Sequence, residues 1–167
     1  SILHPKIHRA FQQDRAPAPV RHPTVMMVNP IPGKGSKELA QLMALRPDWH
    51  YRVVAGGYGT SDITALTTTA SATGASLELI AKQVPPHELA QLYATSTVLI
   101  QPSYHESYGM VALEARTVGT PVVVTDLPGV HEALSGFSDG VEYIPAPPTV
   151  KELHNAVQRF LDGSIHA

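Results

Sequence analysis

The chain has 167 residues, 43% of them hydrophobic, and a net charge of -2, which suits one globular domain with a real core. Charged residues make up 16% with no broad basic patch, so nucleic-acid backbone binding is not indicated. No cysteine is present, which excludes a disulfide scaffold, a cysteine-rich zinc site and a cysteine nucleophile, and no apolar run reaches the roughly 18 residues a membrane span needs.

Residues 1–23 read as an entry segment in which Ile2, Leu3, Ile7 and Phe11 offer one apolar helical face. Pro17, Pro19 and Pro23 then stop regular structure. The remaining 24–167 read as one α/β domain. Short apolar runs are expected as strands: Val25–Val28, Tyr51–Ala55, Leu77–Ile80, Val98–Gln101, Pro121–Thr125 and the weaker Val141–Ile144. Several are nearly continuous and rich in Val, the pattern of strands covered on both faces of a parallel sheet.

Helical stretches fall between them. Ser36–Leu45 carries Leu39, Leu42 and Met43; Asp62–Ala72 is weakly periodic, with a threonine-rich centre that forms helix poorly. Pro86–Ala94 opens on a proline suited to a first turn, and Val111–Val118 keeps its apolar residues on one face. Thr149 to Glu152 makes a capping box, followed by Leu153, Val157 and Phe160. The alternation predicts a Rossmann-like three-layer parallel sheet with helices on both faces. Ligands of such sheets gather at the carboxyl ends of the strands, so the loops of interest are 29–36, 56–61, 81–85, 102–110 and 126–132.

The first loop runs from Asn29 to Ser36 and contains Gly33, Lys34 and Gly35. Backbone amides at a helix start attract phosphate, and Lys34 adds a mobile positive charge. It is not the phosphate loop of ATPases, because Gly33-Lys34 is followed by Gly35 rather than Ser or Thr. The dinucleotide fingerprint Gly-x-Gly-x-x-Gly is also absent there, which argues against a nicotinamide-dependent dehydrogenase. The second loop, Gly56-Gly57-Tyr58-Gly59, reads first as a plain turn.

The fourth loop is the richest. Strand Val98–Gln101 delivers Pro102, Ser103, Tyr104, His105 and Glu106, and the next helix starts near Gly109. Amides of Tyr108, Gly109, Met110 and Val111 are candidate donors aimed into a cleft. Glu114 follows Glu106 by eight residues, a rise of about 12 Å if helical. Two carboxylates so spread suit two parts of one long ligand rather than shared acid–base work. Each is able to accept two hydroxyls, as holding a vicinal diol requires. His105 is a candidate base, although a loop histidine is more often polar surface. Ser107 reads as a helix cap, and no Gly-x-Ser-x-Gly elbow supports a serine hydrolase. In the fifth loop, Gly129 lets backbone approach a ligand, and His131 and Glu132 lie near a helix start.

The run Pro102-Ser103, Glu106-Ser107-Tyr108-Gly109-Met110-Val111-Ala112-Leu113-Glu114-Ala115 resembles the Glu-x7-Glu signature of retaining GT-B glycosyltransferases, the family 4 or glycosyl transferases group 1 type. Gly119 to Thr125 resembles the next strand of that family, Lys34-Gly35 its Lys-Gly after the first strand, and Val84 to Leu89 with Tyr93 the segment before the fourth strand. The resemblance spans about residues 24–162. It implies the C-terminal, donor-binding half of a GT-B fold, acting on a nucleoside-diphosphate sugar with retention and without a metal cofactor. It further implies that Glu114 holds the ribose hydroxyls, Glu106 contacts the transferred sugar, Gly109 to Val111 offer amides to the donor, the backbone near Val84 borders the base, and Lys34 neutralises the leaving diphosphate. The acceptor would then belong to an N-terminal half absent from these residues, and this portion alone would transfer little. A cytoplasmic setting, free or at the cytosolic face of a membrane, follows from the same resemblance.

Three departures stand out. Val28-Asn29 occupies the place of the family's common Gly-Arg, Lys82 replaces a common glycine, and Pro128-Gly129 stands for Gly-Gly. They keep open a nucleotide-sugar epimerase-like enzyme and a non-catalytic partner module of the same fold.

Overall fold

The structure, a computed structural model, describes residues 22–56, 60–105 and 110–167. The expected apolar face of residues 1–23, the Gly57–Gly59 part of the second loop, and Glu106, Ser107, Tyr108 and Gly109 lie outside the described residues.

Strand and helix alternate throughout. β1 (Thr24–Val28) leads through a 3-10 turn at Pro32–Lys34 into α1 (Ser36–Leu45), then β2 (His50–Val54) and α2 (Thr60–Thr73). β3 (Ser76–Ile80) and α3 (Pro86–Ala94) precede β4 (Val98–Gln101) and α4 (Met110–Thr117). β5 (Val122–Thr125), α5 (Pro128–Ala133), β6 (Val141–Ile144) and α6 (Val150–Leu161) complete the chain. All pairings are parallel, in the order β3-β2-β1-β4-β5-β6.

The sheet is buried on both faces, because a strand's side chains alternate and each set meets its own helices. Val25 and Met27 of β1 pack with Leu39, Leu42 and Met43 of α1, Leu66 of α2, and Leu153 and Val157 of α6. Met26, between them in sequence, packs on the other face with Tyr93 of α3, Ala112 and Ala115 of α4 and Val130 of α5. This is the expected three-layer α/β arrangement. β4 and β5, with helices above and below, have no exposed residue, which explains their unbroken apolar sequence.

Two local outcomes show packing overriding propensity. α2 forms despite its threonines, since Leu66 is buried and the hydroxyls of Thr67 and Thr73 donate back to the carbonyls of Ile63 and Thr69. Part of the fifth loop, expected as loop over 126–132, is instead helix α5. Pro128 supplies a preset first-turn backbone after an extended Leu127, and Val130 and Leu134 bury into the second core.

The N-cap half of the expected capping box is present: Thr149 Oγ1 accepts a hydrogen bond from the Glu152 amide at 3.3 Å. Thr149→Ala is expected to lower unfolding free energy by about 1 kcal/mol with an unchanged urea dependence, read from equilibrium denaturation. A second constraint joins the first and fourth loops. Gly35 adopts φ +95°, and a Cβ there would lie 2.4 Å from the Pro102 carbonyl oxygen. Gly35→Ala therefore combines an unfavourable backbone with a clash, and a loss of at least about 2 kcal/mol is expected in the same assay.

Candidate functional site

In this strand order the connections leave β1 and β4 toward opposite faces, so a crevice opens between their carboxyl ends. The residues following both strands fill its floor. After β1, the chain turns at Asn29, whose φ of 59° is left-handed, a conformation that asparagine tolerates better than most residues. Its amide donates to the Val54 carbonyl, and its own carbonyl accepts from Ile31, each at 2.9 Å. The 3-10 turn then brings Lys34 over the crevice, and Gly35, left-handed again, starts α1.

After β4, Pro102 and Ser103 are buried and Tyr104 turns back onto the first loop. The Tyr104 amide donates to the Gly33 carbonyl at 2.9 Å, and its hydroxyl donates to Glu38 Oε2 at 2.7 Å. The tyrosine hydroxyl is held above its ordinary pKa, chiefly by that hydrogen bond to the Glu38 carboxylate. Glu38 is only 4% exposed and lies in the first turn of α1, where the helix dipole favours a negative charge.

Between these two loops lies a cavity of about 110 Å³, lined by Asn29, Lys34, Gln101, Ser103, Met110 and Val111 among others. Gln101 ends β4 and is 8% exposed. Its Oε1 accepts from the amide of Ala112, the third residue of α4, at 3.2 Å. The side chain of one element thus caps the start of another. Among the described residues, Gln101 Nε2 and Glu38 Oε1 are buried without a hydrogen-bond partner.

Four of the expected site residues, Asn29, Lys34, Met110 and Val111, are therefore brought to one hollow. Val84 lines a different cavity of about 580 Å³, beside Ile80, Lys82 and Leu92 between the end of β3 and α3. Glu114 is half-buried on α4 and faces α3, where its Oε2 accepts from the Tyr93 hydroxyl at 3.4 Å. That hydroxyl is pushed upward in pKa by burial first and by the Glu114 charge second. Glu106, Tyr108 and Gly109 lie outside the described residues. His105 is exposed. On the fifth loop, His131 Nε2 meets Asp126 Oδ1 at 2.5 Å and its ring stacks on Tyr143 at 3.9 Å. Among the described residues, no group of three or more acidic or histidine side chains could hold a metal ion.

Sequence reasoning passed over Glu38, Tyr104 and Gln101. Two of them left a trace. Gln101 is an amide ending the otherwise apolar Val98–Ile100, and Glu38 lies four residues before Leu42 on the inward face of α1.

Comparison with known proteins agrees with the fold and shows the family. The D-inositol 3-phosphate glycosyltransferase of Corynebacterium jeikeium is 34% identical over 111 residues, 63% of this chain and 26% of that protein. The same-named protein of Corynebacterium aurimucosum is 31% identical over 127 residues, 74% of this chain and 30% of its own length. Among solved structures, sucrose-phosphate synthase from Thermosynechococcus elongatus superposes with a TM-score of 0.74 at 26% identity, over 96% of this chain and 40% of that one. Anabaena HepE in complex with UDP and glucose superposes with a TM-score of 0.74 at 20% identity, over 97% of this chain and 44% of that one, and shows the fold. The chain thus spans less than half the length of these relatives, and its six-stranded sheet is one Rossmann-like half of the GT-B architecture. The profile of the family described as glycosyl transferases group 1 matches residues 9–167, and the chain belongs to that family.

Proposed function

We propose that this chain is the C-terminal, donor-binding half of a glycosyltransferase that takes a nucleoside-diphosphate sugar and transfers the sugar with retention. The observation that carries the reading is the hollow at the carboxyl ends of β1 and β4, where Lys34 and the start of α4 converge. A diphosphate needs positive charge and oriented amide donors, and these are a lysine and a helix N-terminus. Lys34 stabilises the charge that develops on the leaving diphosphate; it need not transfer a proton. Val84 and Glu114 lie toward α3, away from that hollow, which suits them to the base and the ribose hydroxyls of an extended ligand. Glu106, eight residues before Glu114, is assigned to the transferred sugar, and the amides of Gly109 to Val111 to its phosphate-proximal end.

No metal enters this scheme. Asn29 stands where a second phosphate cation is common in the family, so Lys34 carries a larger share of the charge here. The acceptor belongs to the remainder of a GT-B enzyme, and the reaction is placed in the cytoplasm. Among the described residues no helix is long and apolar enough to cross a membrane.

Calorimetric titration of the full-length protein with UDP, GDP and ADP and their sugars tests the reading. Saturable binding of one nucleoside diphosphate is expected. Lys34→Ala and Glu114→Ala should each weaken it about ten- to a hundredfold, the worth of a hydrogen bond to a charged group. A flat titration across the whole panel would sink the proposal. Residues 1–167 alone are expected to transfer little sugar, because the acceptor site is elsewhere; appreciable product detected by mass spectrometry from this portion would refute that part.

A further inference from the structure

The first and fourth loops are joined by more contacts than chain connectivity requires. Gly35 packs on Pro102 so closely that no side chain fits between them. The Tyr104 amide reaches back to Gly33, and the Tyr104 hydroxyl spans onward to Glu38 in the first turn of α1. One tyrosine therefore grips the segment from both ends, at residue 33 by its backbone and at residue 38 by its side chain. Lys34 lies inside that span.

The grip has a thermodynamic cost. Removing a carboxylate from water is unfavourable unless its oxygens are satisfied. Glu38 is nearly fully buried, yet among the described residues only its Oε2 has a partner, and that partner is Tyr104. An apolar residue at this inward position of α1 would bury at lower cost. The arrangement is thus poorly accounted for by stability and well accounted for by position. Both loops it joins carry residues of the hollow: Asn29 and Lys34 on one side, Ser103 on the other, with Met110 and Val111 at the start of α4.

We infer that Tyr104 and Glu38 are positioning residues, a polar brace that fixes the loop carrying Lys34 against the loop leading into α4, so that lysine and helix start face the same diphosphate. The inference rests on the donor-binding reading above and adds to it two residues that touch no ligand. Binding is sensitive to small misplacement of charged groups, so loosening the brace weakens ligand affinity while both charge-bearing groups remain present.

The test uses four variants of the full-length protein with UDP, GDP and ADP as probes. Tyr104→Phe keeps the ring and removes only the hydroxyl. Glu38→Leu removes the acceptor, and Glu38→Gln retains one. The double variant Tyr104→Phe/Glu38→Leu closes a cycle. Tyr104→Phe and Glu38→Leu are each expected to weaken nucleoside-diphosphate binding about tenfold, with the double variant no weaker than either single. Glu38→Gln should recover most of the affinity, which loss of packing alone would not explain. Amide hydrogen exchange at Tyr104, measured without ligand, should quicken in the first two variants and stay slow in Glu38→Gln.

Unchanged affinity in Tyr104→Phe and Glu38→Leu, alongside a clear loss in Lys34→Ala, would overturn the brace and leave the donor reading standing. Failure of the unmodified protein to bind any of the three probes would defeat the donor reading, and with it the brace's role in binding. Hydrogen exchange then still decides whether the brace holds the loop: exchange at Tyr104 that is indifferent to both variants would dismiss it.

Discussion

The organising constraint is the reversal of strand order between β1 and β4. Right-handed crossovers carry α1 to one face of the sheet and α4 to the other, so the two loops at the reversal diverge and leave a hollow. The turns of the first loop answer to that divergence. The backbone must turn sharply at Asn29 and Gly35, both left-handed, to stay beside β4 before entering α1. Pro102 then lies where a side chain on Gly35 would be. The close approach is thus a consequence of topology that only glycine satisfies.

Part of the uncompensated buried polarity among the described residues lies at this edge. Elsewhere many buried hydroxyls are paired: Tyr51 donates its hydroxyl to the carbonyls of Leu42 and Arg46, and Thr120 donates to that of Tyr93, whereas Arg116 Nε and Nη1 and Thr125 Oγ1 are buried without a hydrogen-bond partner among the described residues. Near the hollow, Gln101 and Glu38 each leave one buried polar atom without a partner among the described residues. Native interiors hold few such groups, and those that persist call for a reason. Here a common reason is available, because each of the two side chains fixes a neighbouring element by its other atom. Gln101 pins the start of α4, and Glu38 holds Tyr104.

The fold was legible because its signal is periodic and redundant. Apolar runs such as Val98–Ile100 and the inward faces of Ser36–Leu45 are set by local pattern, and a parallel sheet follows from their alternation. α5 was not legible as helix because six residues are too few for a period, and its burial depends on a core built by distant segments. The candidate site was legible in part. Asn29 directly follows β1, and Lys34, Met110 and Val111 lie where the strand-to-helix connections enter or approach their helices, so the alternation of strand and helix locates them at the carboxyl edge. Glu114 faces Tyr93, a contact set by how α3 and α4 pack, which spacing along one helix does not specify. Tyr104 and Glu38 are 66 residues apart and meet only through tertiary structure.

Asn29 and Gln101 then invite one reading together. A loop that turns through a left-handed residue accepts glycine, asparagine or a strained alternative, so asparagine at this point serves the turn itself. It adds a neutral amide but no charge. Gln101, on the opposite wall, is likewise a neutral amide at a strand end. Among the described residues lining it, the hollow presents one lysine with two amide-bearing side chains, so under the donor-binding proposal its hold on an anion depends on orientation more than on summed charge. Orientation is what a second buried contact, fixed at both ends of the loop, is able to supply. A site with one cation among its described residues has more need of a rigid frame than one rich in them, and the proposed brace lies at that same place.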